Sequence, residues 1–455
     1  MKEKLAGIVG SLTADYADLR FEENRKTRIS YKGDQLVEVA SYETSGGHVR
    51  AYADGGKAVA SFSDPSRAGA MAEAVAASAA LAGSRRAKPL RLADAPVVTE
   101  SFPIRSEHDL RQVSFQEKLD LTTHYSEMIL AADDIATAET NYDEFVSRRI
   151  FVNSEGSVVE YEIVLANILG FIVSKRGNVM QRVRFAFGGN EDFSRIRGRE
   201  SDLEGRIRTA QELLDATPAK AGLFPVILDP SESGVFIHEA FGHLSEADGL
   251  QNNPAFREKL QLGAELGRPL LNVYDDPSLP DHPGSYVIDD EGVRGVRTEL
   301  ITEGILTGRM HSRETAAEFD EPLSGNMRAA EAHNTPVVRM SNIGIVPGTS
   351  SFDEMVASID KGYYLVGAKG GQTSGDQFTF GAQWGYVIEN GRLGTMVRDI
   401  NMSGGLFATL QGISMVGSET EGSERGGCGK AGQTNRLSGK NTPPIKIDKV
   451  TIGGV

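Results

Sequence analysis

Two histidines and a glutamate stand together in His238-Glu239-Ala240-Phe241-Gly242-His243, in a chain with 8 histidines and one cysteine. That cysteine, Cys428, lies far downstream in Gly426-Gly427-Cys428-Gly429-Lys430. Two imidazoles, a thiolate and a carboxylate are the parts of a hydrolytic zinc site. Zinc takes nitrogen and sulfur donors, and a catalytic site keeps three protein ligands with a fourth position open. The metal acidifies water and polarises a scissile carbonyl, while Glu239 can take the water proton and pass it to the leaving amine.

The spacing constrains the backbone. Residues four apart on an α-helix differ by about 40° around its axis, but residues five apart differ by about 140° and face away from each other. His238 and His243 cannot share a metal on a straight helix. The sequence therefore predicts a distorted turn between them, either a π-bulge or a helix end. Gly242 is the residue best able to take irregular backbone angles there.

The third ligand stays open on residue type alone, with His282, His311, His333, Cys428, Glu246 and Asp248 all chemically suitable. Cys428 is favoured because its glycines let backbone approach a site closely and because a thiolate suits zinc. Isolated histidines such as His48, His108 and His124 read as surface or structural residues.

The elements that must hold these groups read as follows. Thr27 to Lys32, Leu36 to Tyr42, His48 to Ala53 and Ala58 to Phe62 form a strand meander, and Asp64-Pro65 opens a helix that Gly83 stops. Residues 84–103 are polar and punctuated by proline, a linker or extended connection. Ser114-Phe115-Gln116-Glu117 is a capping box for a helix to about Ala131. Strands at 147–152, 157–174 and 179–187 follow, then an amphipathic helix within 195–214. A second half starts with the apolar strand Phe224 to Leu228 and the helix entry Asp229-Pro230, with His238 to His243 on that helix. Antiparallel hairpins dominate its remainder, including one at Asn390-Gly391. The fold class is α+β, in two domains: residues 1–219, with an internal break near 84–103, and a strand-rich catalytic domain over 220–455.

Composition narrows the function. The 455 residues are 40% hydrophobic and 24% charged, ordinary for a globular protein with real cores. A formal net charge of -15 argues against nucleic acid or an anionic membrane as partner. Arg85, Arg86 and Lys88 read as a solvated linker. The start of the chain lacks a secretory pattern, and Ala68 to Ala82 is an alanine-rich helix carrying Glu73, so no membrane span is expected. One cysteine forms no internal disulfide, which fits a reducing cytoplasm.

Several separated segments resemble the TldD/PmbA family of metallopeptidases, in particular its TldD-type catalytic subunit. They are residues 234–248 around the histidine motif, Ile288-Asp289-Asp290-Glu291-Gly292, Pro336 to Asn342, Ile388-Glu389-Asn390-Gly391 and Cys428 to Gln433. The N-terminal meander with Gly46-Gly47-His48-Val49-Arg50 is similar to the family's first segment. The resemblance implies a zinc peptidase in which His238, His243 and Cys428 hold the metal and Glu239 is the general base. It also implies a dimer, with a related subunit lacking the zinc motif or with a second copy, that cleaves unfolded or small peptides with little sequence preference. Phe241 stands where family members often have a smaller aliphatic residue, and Leu244-Ser245 replaces a more glycine-rich pair.

An extended peptide could add to a strand edge by main-chain hydrogen bonds, with Tyr363 to Ala368 and Gln377 to Glu389 as candidate edges and Gly370-Gly371 or Gly404-Gly405 as points of close approach. His333 and Arg339 are candidates for substrate binding, as donors to a developing oxyanion. Two alternatives are a noncatalytic scaffold subunit of the same fold, whose sequence should have lost the His-Glu-x-x-x-His set that this chain keeps, and a zinc hydrolase acting on a non-peptide amide.

Overall fold

Turn residues between long alternating runs set the first half of the chain. The computed structural model describes residues 1–251, 253–435 and 437–453. Strands β1 (Tyr16–Lys32) and β2 (Gln35–Ala53) form one long hairpin, extended by β3 (Gly56–Phe62). β1 starts at Tyr16 rather than at Thr27. Its early residues read as polar because its buried positions include Asp18, Arg20 and Glu22, held by ion pairs, and Asn24, which donates to Glu22.

Helices α1 (Lys2–Gly10) and α2 (Ala68–Gly83) share an apolar core with the inner face of this meander. After residues 84–100, β4 (Ser101–Phe102), helix α3 (Phe115–Leu130) and strands β5 (Ile135–Asn153), β6 (Val158–Arg176) and β7 (Val179–Gly188) follow, then helix α4 (Glu200–Glu212). One seven-stranded sheet runs in the order β3-β2-β1-β5-β6, with β4 and β7 both pairing with β6. β1 pairs with β5 from Asp18↔Asn153 to Lys32↔Glu139, so strands from both sides of the 84–103 segment share this sheet.

The second half is built on a sheet that closes on itself. Strands Lys361–Ser374, Gly222–Leu228, Ile445–Gly453, Ile400–Gly405 and Gln377–Glu389 are neighbours in that order, and the last pairs back to the first. Helix α5 (Pro230–Ala240) leaves the strand Gly222–Leu228, capped by Asp229, whose Oδ1 accepts from the Glu232 amide at 2.7 Å. It buries Phe236 against Phe378 and Phe380, with ring centroids at 5.6 and 6.2 Å. A second sheet includes Val273–Asp275, Asn342–Ile345 and Gly439–Thr442. The fold is α+β. Among the described residues no helix is long and apolar enough to cross a membrane.

The two strands proposed above as edges are interior. Tyr363–Leu365 lies between Val226–Leu228 and the strand Gln377–Glu389, and the latter is paired on both sides. Ring closure removes their edges. What stays open among the described residues is one side of the stretch from Gly370 to Thr373, beyond the end of the strand Gly222–Leu228.

The Asp290 segment ties the halves together. Arg20 Nη1 lies 2.9 Å from Asp290 Oδ2, Arg149 Nη1 lies 3.4 Å from Oδ1, and the Tyr161 hydroxyl donates to Oδ1 at 2.5 Å. Next to it, Arg50 Nη1 lies 2.6 Å from Glu291.

Candidate metal centre

Helix α5 ends at Ala240, between the two histidines. The Phe241 amide donates to the Ile237 carbonyl as the last helical bond, Phe241 then leaves helical geometry at φ -126, and residues Gly242–Ser245 form a tight 3-10 turn. The distortion is thus a helix end and not a π-bulge. Gly242 acts by size, because a Cβ there would overlap the Met340 thioether and lie 2.9 Å from Ile343 Cδ1. Phe241 is fully buried in the core, so its bulk is spent on packing, whereas Leu244 lines the pocket beside the motif.

The turn brings the imidazoles of His238 and His243 to a centroid distance of 5.1 Å at 83°. Cys428 Sγ lies 3.3 Å from His243 Nε2. One donor atom from each of His238, His243 and Cys428 falls within 4.8 Å of the others. His238 is 1% exposed, and neither of its ring nitrogens has a hydrogen-bond partner. A buried imidazole with two unpaired nitrogens is costly unless a ligand satisfies it. Burial, and then the Lys440 ammonium, push its pKa well down, leaving the neutral donor a metal needs.

His243 differs. Burial alone would lower its pKa, but hydrogen bonds to Cys428 and Glu246 push it up to about 10. Glu246 and Cys428 thus favour positive charge beside this ring, and a metal held there would displace its proton. Its Nδ1 lies 2.9 Å from Glu246 Oε2, which fixes the ring and turns Nε2 toward Cys428. His238, His243 and Cys428 therefore fit zinc in donor type, proximity and unsatisfied capacity.

Glu239 Oε2 lies 4.0 Å from His243 Nε2, and the side chain is 28% exposed on the wall of a cavity of about 580 Å³. Burial raises its pKa. Gly371, Gln372 and Thr373 also line it, and the Thr373 hydroxyl donates to the Glu239 carbonyl at 3.2 Å.

The other proposed ligands lie elsewhere or serve differently. His282 Nδ1 contacts the Pro280 carbonyl, and His311 sits between Thr315 and Glu321. His333 is exposed and does not line the cavity. Arg339 is buried at the site, where its Nη2 donates to the Cys428 carbonyl at 2.7 Å and so supports the cysteine's backbone. Glu246 and Asp248 accept from the Lys430 ammonium at 2.9 and 2.6 Å. Lys430 and Lys440 were not singled out from sequence. The two-residue offset of Lys430 from Cys428 was the available signal, whereas nothing local marks Lys440, whose stem lies 3.0 Å from a Cβ built on Gly234. The glycines beside Cys428 do not serve close approach, since a Cβ on Gly427 or Gly429 would meet nothing within 4 Å.

Residues 221–454 match the family model described as PmbA/TldA metallopeptidase C-terminal domain, and residues 17–82 match PmbA/TldA metallopeptidase domain 1. The chain is 34% identical over 444 residues to a metalloprotease of Synechocystis sp., covering 97% of this chain and 95% of that protein. It is 40% identical over 257 residues to a protein of Saccharolobus solfataricus named zinc metalloprotease TldD homolog, covering 56% of each. Its fold is similar to that of TldE from Thermococcus kodakarensis, with a TM-score of 0.78 at 19% identity, covering 100% of this chain and 98% of that one.

Proposed function

The chain belongs to the PmbA/TldD family of metallopeptidases, and on that basis we propose that it is a zinc peptidase cleaving unfolded or small peptides with little sequence preference. The observation that carries this reading is the buried His238, both ring nitrogens unpaired, within donor reach of His243 and Cys428. The Saccharolobus relative's name supports zinc among the metals such donors accept.

His238, His243 and Cys428 would hold the ion. Bound zinc supplies Lewis acidity, polarising a carbonyl and acidifying water. Glu239 takes the proton from the attacking water as its oxygen bonds to the carbonyl carbon, then delivers it to the amine nitrogen as the C–N bond breaks. Burial raises its pKa, which makes it a stronger base for that proton. The open side of Gly370 to Thr373 supports binding of an extended peptide through its main chain, which explains loose sequence preference.

We also place a domain boundary near residue 220, in line with the start of the family's C-terminal domain at 221. Assembly with a related subunit or a second copy is supported by the apolar side chains of Leu36, Val37, Val39 and Tyr42, 44 to 48% exposed, on a part of β2 paired only to β1.

Glu239→Gln and Cys428→Ser, assayed for zinc content and peptide cleavage, test the reading. Glu239→Gln should keep zinc and lose about 10²–10⁴-fold in kcat, and Cys428→Ser should lose zinc. Full cleavage by the first, or full zinc in the second, removes the corresponding assignment.

A further inference from the structure

The hairpin that carries Cys428 is held by polar tethers. Its strands Cys428–Lys430 and Gln433–Asn435 pair with each other and with no other strand among the described residues. The turn between them uses two residues of positive φ, Ala431 at 51 and Gly432 at 72. A Cβ added to Gly427, Gly429 or Gly432 would meet nothing within 4 Å, so no wall presses on the hairpin at these points. Gln433 anchors its far strand, donating to the Thr335 carbonyl at 2.7 Å and accepting from the Ala330 amide at 3.1 Å. On the near strand, besides the Arg339 contact to the Cys428 carbonyl, the strongest tether is Lys430.

The Lys430 ammonium has three protons and three acceptors: Glu246 Oε2 at 2.9 Å, Asp248 Oδ1 at 2.6 Å and the Val338 carbonyl at 2.8 Å. Glu246 is 2% exposed at its side chain, and the oxygen that accepts from Lys430 is the one that contacts His243 Nδ1. Its other oxygen accepts from the Met340 amide at 3.3 Å, which stops the carboxylate from turning away. A single buried oxygen thus joins the residue two places after Cys428 to the ring of His243.

We propose that Lys430 is a positioning residue of the metal centre, which through Glu246 sets the Cys428 thiolate and the His243 imidazole as one unit. The proposal rests on the assignment of His238, His243 and Cys428 as zinc ligands. Without the ammonium, the hairpin loses its link to the second ligand's turn, and Glu246 and Asp248 face each other with no cation between them. The donors then spread over more arrangements, of which few bind the ion well. Groups that orient ligands in this way contribute roughly 10–100-fold to metal affinity.

The test measures Zn²⁺ affinity by chelator competition, together with the melting temperature of the metal-free protein and the thiolate charge-transfer absorption of the Co²⁺ form. Lys430→Met should weaken Zn²⁺ binding by about 10–100-fold and reduce the Co²⁺–thiolate band, while the metal-free melting temperature falls because Glu246 and Asp248 lose their counter-charge. Glu246→Gln should behave alike, and the double variant should be no weaker than the weaker single one, because both break the same link. Wild-type affinity in Lys430→Met beside a strong loss in Cys428→Ser overturns the role of Lys430 alone. So does a Co²⁺–thiolate band of wild-type intensity in Lys430→Met at saturating Co²⁺, which marks a residue that only stabilises the fold. Wild-type affinity in Cys428→Ser removes the ligand assignment and the proposal with it.

Discussion

The thioether of Met340 fills the space that a side chain on Gly242 would need. Met340 is buried and belongs to the same strand-flanking segment as Arg339, so the turn carrying His243 is seated directly on the segment that supports Cys428. A methyl group at Gly242 must push the two apart. Gly242→Ala should cost about 1–3 kcal/mol of stability and weaken zinc binding, measured by thermal unfolding and metal titration. Adding Met340→Ala should restore part of both; no recovery in the double variant would show that the clash is not the cause.

Metal should stabilise the folded chain through the same three residues. A ligand bound only by the native state adds about 4 kcal/mol at a thousand times its Kd. Zinc should therefore raise the melting temperature of the chelator-treated wild type and have little effect on Cys428→Ser. Differential scanning calorimetry with and without Zn²⁺ reads this directly, and an equal rise in both proteins would count against the thiolate as a ligand.

Asp290 is a second point of fragility, in the segment that ties the two halves together. It is 2% exposed at its side chain and faces Arg20, Arg149 and the Tyr161 hydroxyl. Burial raises its pKa, but Arg20 and then Arg149 overcome this and hold it below the usual carboxylate value. Asp290→Ala leaves two buried guanidinium groups short of a counter-charge, and breaking such a pair costs about 3–5 kcal/mol. Urea unfolding should register a loss of that order, and a change below about 1 kcal/mol would place the pair among the weak ones.

His48 makes the N-terminal sheet acid-sensitive. It is 3% exposed beside Arg20 and Arg50, and burial, then these cations, lower its pKa from 6.5 to about 3. As pH falls, the unfolded chain takes up this proton first. The contribution of His48 to stability is complete above pH 6.5 and is lost toward pH 3, at about 1.4 kcal/mol per pH unit. The pH dependence of unfolding should be shallower by that slope in His48→Leu than in wild type, and parallel slopes would rule the residue out.

Elements with strong local signals were legible from the amino acids. The caps at Ser114 and Asp229, the proline at position 230 and the turn at Asn390-Gly391, with φ of 51 and 71, all stand where their side-chain chemistry requires. The first stretch of β1 was not legible, because alternating Asp18, Arg20, Glu22 and Asn24 look solvent-exposed until their partners on β2, β5 and the Asp290 segment are known. The same limit applied at the metal centre. His238, Glu239 and His243 announce themselves by adjacency, and the need for a break between the histidines follows from helix geometry. The purpose of Gly242 depends on Met340, far along the chain, and Lys430 meets Glu246 across 184 positions, which no local pattern encodes. The candidate strand edges failed for a like reason: local alternation cannot reveal that a sheet closes.

The closed ring of strands also governs when the donors of the candidate site can meet. The strand Gly222–Leu228, from which the histidine helix emerges, has Lys361–Ser374 on one side and Ile445–Gly453 on the other. His243 and Cys428 are separated by 185 residues. During synthesis the histidines leave the ribosome long before either neighbouring strand or the cysteine exists, and such distant pairings form slowly. A nascent chain therefore carries an incomplete set of the donors His238, His243 and Cys428 until residue 428 has been made, and the candidate site cannot assemble before then.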